Sequence, residues 1–300
     1  MRYHYLTVDV FTDRRFGGNQ LAVIPDARGL SGEQMQTITR EFNFAESTFV
    51  LPPAAPENDA RVRIFTPGRE VPFAGHPNVG TAYVLAMLGQ VHGKPVGDKL
   101  RFEEKAGLVT LTVDRGADGQ PHSTEFTAPA LLEAGDEIPA AHVAAACGLA
   151  ENRIVTARHT PRCASVGLPF TLAEAPDLQT LAEAKPDLAA FDRHFTGLAG
   201  DAVFLYVRTG GSSVQARMFA PLHGVLEDAA TGSASAALTG FLAHLDPADD
   251  GTFEITITQG VEMGRPSRIN GSADKRGGQV TAVRVGGPSV PVMEGFLQIG

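Results

Sequence analysis

Apolar and polar residues alternate through Arg61-Val-Arg-Ile-Phe65 and again through Val214–Phe219, which predicts two strands with one buried face each. Short apolar runs predict further strands at Tyr3–Phe11, Leu21–Ile24, Phe49–Leu51 and Ala202–Val207. Others are expected at Leu100–Glu103, Leu108–Asp114, Ser123–Thr127, Ile154–Thr156, Cys163–Phe170, Phe253–Gln259, Gln279–Val285 and Val290–Ile299. Helical spacing is rarer. Ser31 and Gln34 form a capping box ahead of the stripe Met35, Ile38, Phe42. An Ala-rich helix is expected at Pro139–Cys147, and a helical stretch at Leu178–Phe191 is interrupted by Pro186. Each half of the chain also carries one strongly apolar helix, the first running to Leu88 before Gly89, the second over Ala234–Leu245. Strands outnumber helices without a regular βαβ alternation, so the expected class is α+β. The loss of pattern at Pro129–Glu137 is the best candidate for a domain boundary.

The first apolar helix is entered through Phe73-Ala-Gly-His-Pro77. Gly75 permits a tight turn there, and Pro77 suits the first helical position, where an N–H has no partner to lose. His76 is then expected at the cap, beside unpaired backbone N–H groups that favour an anion. The second half repeats this pattern. Arg63-Ile-Phe-Thr-Pro67 matches Arg217-Met-Phe-Ala-Pro221, and each is followed by a turn and a helix start. Gly80 follows His76 by four residues as Gly232 follows Asp228, which pairs His76 with Asp228. Two copies, each about half the chain, imply duplication rather than a solenoid. Two equivalent helix ends could then face one another, with an imidazole and a carboxylate between them.

Composition narrows the function by exclusion. A net charge of −9 without any basic run argues against nucleic acid and anionic membrane as partners. No stretch reaches the ~20 apolar residues of a membrane span, and the N-terminal residues lack the apolar core of a signal peptide. With only Cys147 and Cys163, no disulfide framework is expected, and a reducing cytoplasm is the default location. No Gly-x-Gly-x-x-Gly follows a strand, and one His beside carboxylates is thin for zinc, even counting His223. Neither cysteine falls at the paired helix ends, where a two-thiol racemase would need them.

Four stretches carry a family likeness: Phe44-Ala-Glu-Ser-Thr-Phe-Val50, Val71-Pro-Phe-Ala-Gly-His-Pro-Asn-Val-Gly-Thr-Ala82, Glu227-Asp-Ala-Ala-Thr-Gly-Ser-Ala234 and Gln259-Gly-Val-Glu-Met-Gly-Arg-Pro-Ser267. Together with Asp9-Val-Phe-Thr12 and Gly18-Asn19, the chain resembles the PhzF-like proteins of phenazine biosynthesis from end to end. The resemblance implies a diaminopimelate-epimerase-like fold of two pseudo-symmetric lobes, each a curved, mostly antiparallel sheet around a central helix. The lobes would comprise residues 1–128 plus 286–300 and residues 129–285, with the active site in the cleft between them. It further implies a cofactor-independent isomerase acting on a small carboxylated, cyclic or unsaturated metabolite such as trans-2,3-dihydro-3-hydroxyanthranilate, and a homodimer. Glu46 would move the proton. His76 and Asp228 would orient and polarise the substrate, and Asn19, Gly75, Gly232 and Ser233 would bind it. Metal is not implied. The chain departs from the family at Ala45, where Ser is common, and at Gln20, where Pro is common.

The residues support these roles unequally. A proton-transfer carboxylate needs an apolar setting that raises its pKa, and Phe44 and Phe49 flank Glu46 in sequence. His76 at a helix N-terminus is expected to be neutral, because the helix dipole disfavours the cation, and to serve either as a cap or as a substrate contact. Asp228 alone reads as an ordinary N-cap. Against the enzyme stands a duplicated scaffold that binds a small anion or a protein without turnover. Such a scaffold would keep the helix ends but would not need Glu46.

Overall fold

A computed structural model describes residues 1–299. The chain forms two compact units, Met1–Pro129 with the segment from Gly286 onward, and Ala130–Val285. The first unit contains β1 (Arg2–Val10), β2 (Asn19–Ile24), α1 (Gly32–Phe42), β3 (Glu46–Leu51), β4 (Ala60–Phe65), β5 (Glu70–Val71), α2 (Gly75–Leu88), a small hairpin β6 (Gln90–Val91) and β7 (Lys94–Pro95), then β8 (Lys99–Glu104), β9 (Gly107–Arg115) and β10 (Pro121–Thr127). Pairing is antiparallel for β1–β2, β3–β4, β8–β9 and β9–β10. It is parallel where a helix makes the connection, at β2–β3 across α1 and at β4–β8 across α2.

Strand parity decides which helix each side chain meets. On β3, Phe49 and Leu51 join Met35 and Ile38 of α1, Ile24 and Phe65 in one core. Glu46 and Thr48 alternate to the opposite face, where Thr48 Oγ1 lies 2.8 Å from Thr81 Oγ1 of α2. α2 touches β1, β2, β3, β9 and β10, and its residues from Gly75 to Ala86 are all buried. A helix enclosed on every side must be apolar on every side, which is the pattern its sequence shows. The approach is close enough to need glycine: a Cβ on Gly80 would lie 2.6 Å from side-chain carbons of both Leu21 and Val10. Gly89 ends the helix in the left-handed conformation at φ 71°.

The second unit contains β11 (Glu133–Glu137), α3 (Ala140–Ala146), β12 (Arg162–Ser165), β13 (Pro169–Glu174), α4 (Leu178–Glu183), α5 (Leu188–Phe195), β14 (Val203–Gly210), β15 (Ser213–Ala220), β16 (Val225–Asp228), α6 (Gly232–Leu245), β17 (Gly251–Gln259), β18 (Ser267–Arg276) and the start of β19 (Gln279–Gln298). β13–β14 is parallel across α4 and α5, and β15–β17 is parallel across α6. Val143, Leu181, Phe191 and Phe195 from the three short helices pack on Val203, Leu205 and Phe219 of the sheet. α6 touches β12, β13, β17 and β18 and is buried from Gly232 to Ala243. The later part of β19, Ser289–Gln298, belongs to the first unit and pairs antiparallel with β1. Among the described residues no helix is long and apolar enough to cross a membrane.

Several sequence expectations are corrected. The polar triplet at residues 46–48 is part of β3. The segment read as one strand over Cys163–Phe170 is two, β12 and β13, turning at Gly167 with φ 131°. Ile154–Thr156 makes only a single bridge, Val155 to Glu174. β18 was not anticipated, because its inward positions are Ser267, Ile269, Gly271, Ala273 and Lys275 rather than a hydrophobic alternation. The strands expected at Gln279–Val285 and Val290–Ile299 are one continuous strand.

The duplication is visible in atomic detail, in a different register from the one the glycine spacing suggests. Arg63 grips Glu70 with Nε and Nη2, each at 2.8 Å, and its guanidinium stands 5.0 Å from the Phe65 ring. Arg217 grips Glu227 the same way at 2.8 and 2.7 Å, 5.0 Å from Phe219. In both halves the gripped glutamate precedes the first helical glycine by five residues, and both helices are 14 residues long. Gly75-His76 therefore corresponds to Gly232-Ser233, and Asp228 corresponds to Val71. The pairing of His76 with Asp228 fails because Gly80 lies within α2 whereas Gly232 begins α6. Pro77 likewise sits at the third helical position, after Ala74 as N-cap, where its missing N–H is still harmless.

Candidate functional site

In the first unit three elements converge on His76. It is the second residue of α2 and is 3% exposed. Asn19, the first residue of β2, points Nδ2 to within 3.3 Å of His76 Nδ1. Glu46, the first residue of β3, brings Oε2 to 3.6 Å from the same nitrogen. The parallel register of β2 and β3, with Leu21 opposite Glu46, holds the two strand starts side by side under the helix end. The Glu46 side chain keeps 18% of its surface exposed, against 4% for His76, so the carboxylate is the more accessible of the pair.

Burial pushes the His76 pKa down to about 3, and a backbone hydrogen bond with Gln20 offsets only part of this. The imidazole is neutral, as expected for this position, although desolvation is the larger cause. Its Nε2 is buried and makes no hydrogen bond among the described residues. A neutral ring has one N–H and one lone pair, so His76 can donate on one side and accept on the other. The apolar surroundings expected from Phe49 are not present at Glu46: Phe49 points into the α1 core on the opposite face of β3. Phe44 stacks obliquely on Phe42 at 5.9 Å.

In the second unit Asp228 ends β16, and its Oδ2 accepts the hydroxyl of Thr231 at 2.7 Å. Thr231, not Asp228, occupies the N-cap position of α6. Gly232 and Ser233 form the first turn, with Ser233 8% exposed. The approach to this turn is pinned from β17 and β18. Gln259 accepts from the Thr231 backbone N–H at 3.0 Å and donates to the Asp228 carbonyl at 2.8 Å. Ser267 Oγ donates to the Ala229 carbonyl at 2.9 Å. Gly260, at φ 74°, lets β17 turn away beside the Ala229 carbonyl. Gln259 and Ser267 stood out in sequence only as members of a motif; their polar side chains at strand ends were the available signal. His223 pairs with Asp201 at 2.8 Å, and among the described residues no three His, Cys, Asp and Glu side chains are grouped to hold a metal ion.

At the first turn of an enclosed helix, a carboxylate that can exchange a proton thus stands 3.6 Å from a neutral imidazole that can donate or accept a hydrogen bond. The family model for phenazine biosynthesis-like proteins, PhzC-PhzF, matches residues 8–295, and the chain belongs to this family of isomerases. An uncharacterized isomerase of Mesorhizobium japonicum is 38% identical over 99% of both chains. The trans-2,3-dihydro-3-hydroxyanthranilate isomerase of Pseudomonas aeruginosa is also 38% identical, over 98% of both. Among solved structures, a predicted epimerase from Pseudomonas aeruginosa superposes with a TM-score of 0.80 at 31% identity, covering 99% of this chain and 100% of its own. A hydroxyproline epimerase from Agrobacterium vitis shares the fold at 13% identity, with a TM-score of 0.65 over 99% of this chain and 92% of its own.

Proposed function

We propose that the protein is a cofactor-independent isomerase of PhzF type, moving a proton on a small carboxylated metabolite that is cyclic or unsaturated, of the class of trans-2,3-dihydro-3-hydroxyanthranilate. The observation that carries this reading is the neutral, buried imidazole of His76 set against the more accessible carboxylate of Glu46. Glu46 removes a proton from a carbon beside the conjugated system and returns it at another carbon of the same substrate. His76, unable to take a charge near neutral pH, polarises the substrate through a hydrogen bond. Asn19 fixes the ring orientation. In the second unit, the first turn of α6, with Gly232 and Ser233, offers N–H groups and a hydroxyl that suit an anionic group. Asp228 is held beside that turn by its hydrogen bond from Thr231. The catalytically inactive scaffold has less support, because it would not require a carboxylate delivered to the helix end.

Replacing Glu46 with Gln keeps the shape and removes the base. In deuterated water the native enzyme should incorporate solvent deuterium into dihydrohydroxyanthranilate, or into another cyclic amino or hydroxy acid found by the same screen. Glu46→Gln should lose incorporation by a factor of at least ~100 while retaining binding. Undiminished exchange in that variant would remove Glu46 from the mechanism.

A further inference from the structure

The second unit holds a recess of about 370 Å³ bordered by Glu137, Arg158, His159, Arg162, Phe241, His244 and Leu245. None of these residues belongs to the sites described above. Behind it lies one buried carboxylate, Glu174, 5% exposed at its side chain. That single acid faces several cations. Arg158 Nη1 donates to Glu174 Oε1 at 2.6 Å, and Arg208 Nε stands 3.8 Å from the same oxygen. Tyr206 donates its O–H to Glu174 Oε2 at 3.2 Å. Burial and the adjacent carboxylate push the Tyr206 pKa up, so it stays a phenol.

Tyr206 in turn lies 2.7 Å from His159 Nε2, and His159 Nδ1 lies 2.8 Å from the Thr160 carbonyl. Glu174 thus answers for both Arg158 and Arg208, while Arg162 is matched by Glu137, which also borders the recess. Three guanidinium groups against two carboxylates leave one positive charge in excess around the recess, in a protein of net charge −9. Phe241, whose ring meets His159 edge-on at 5.0 Å, and Leu245 give it an apolar side.

We propose that this recess is a second ligand site, for a small organic monocarboxylate. The free N–H groups of Arg158 and the ring of His244 take the carboxylate, and Phe241 and Leu245 take the apolar body. A recess of this size suits a ligand of that kind, and a guanidinium fork matches a carboxylate in shape as well as charge.

Benzoate is the probe, followed by amide NMR on the full-length protein, with neutral benzyl alcohol and inorganic phosphate as controls. Benzoate should cause saturable shifts at residues 134, 158–162 and 241–245, and both controls should leave them unmoved. Arg158→Gln should weaken that binding by roughly tenfold or more. His244→Ala, at an exposed position, should weaken it without disturbing the fold. The proposal is overturned if benzoate produces no saturable shift there, if benzyl alcohol or phosphate produces the same one, or if both variants bind as well as the native protein. Shifts confined to residues around His76 would place benzoate in the first site and equally overturn it.

Discussion

Glu104 sits at the end of β8 with both carboxyl oxygens out of contact with water. Burial pushes its pKa up to about 8, and the facing side chain of Asn78, in the first turn of α2, offsets only part of this. The carboxyl is therefore protonated in the folded protein near neutral pH. In the unfolded chain it ionises near its ordinary value of 4.5. Between these two values unfolding releases a proton, so stability should fall as pH rises, by about 1.4 kcal/mol per pH unit. Integrated from 4.5 to about 8, the loss is on the order of 5 kcal/mol. Above that window the slope vanishes, since both states are ionised. Glu104→Gln keeps the shape, cannot ionise, and can donate to Asn78 Oδ1, which is buried without a hydrogen-bond partner. Urea unfolding of native and variant proteins at pH 5, 6, 7, 8 and 9 tests this directly. The variant's advantage should grow steadily from pH 5 to pH 8 and then level off. A difference between the two proteins that is constant across pH would refute the buried-acid account of Glu104.

Two further outcomes follow from the first unit. The His76 ring should remain neutral from pH 5 to 8 by ¹⁵N NMR. Because its folded pKa is depressed to about 3, its contribution to stability is present above pH 6.5 and lost as pH falls from there towards 3. A ring that titrates near 6.5 would contradict the burial seen at α2. Gly80→Ala should destabilise the protein by ~1–3 kcal/mol, since the added methyl meets Leu21 and Val10 at 2.6 Å. An unchanged Tm would mean that α2 can shift away from β1 and β2.

The elements easiest to read in the sequence were those whose local chemistry suffices. The capping box at Ser31 and Gln34 forms as expected, and Gly89 ends α2 in the left-handed conformation. β18 was illegible because α6 packs so closely on it that small residues replace the usual apolar face: Gly271 lies directly against Thr239. The duplication was legible through Arg-x-Phe-x-Pro, but its register was not. The strand turn after Phe219 is longer than the one after Phe65, and only the Arg–Glu pairs Arg63–Glu70 and Arg217–Glu227 fix the correspondence. At the candidate site, sequence brought out His76 unaided and Glu46 through the family motif. The approach of Asn19 and Glu46 to one ring nitrogen depends on a parallel strand register, which no local pattern encodes.

The pairing of β1 with the end of β19 sets a timetable for folding. Thr7 and Met293 are 286 residues apart in sequence yet joined by a hydrogen bond. On the ribosome, β1 must wait for its neighbour on that side until residues 289–298 have been made. Residues 130–285, by contrast, are continuous in sequence and can close their own core as soon as they emerge. β1, made before the second unit, thus completes its pairing after it, and the contacts that cost most in loop closure form late. Nascent chains arrested before residue 289 should protect the second unit from protease while leaving β1 open along one edge.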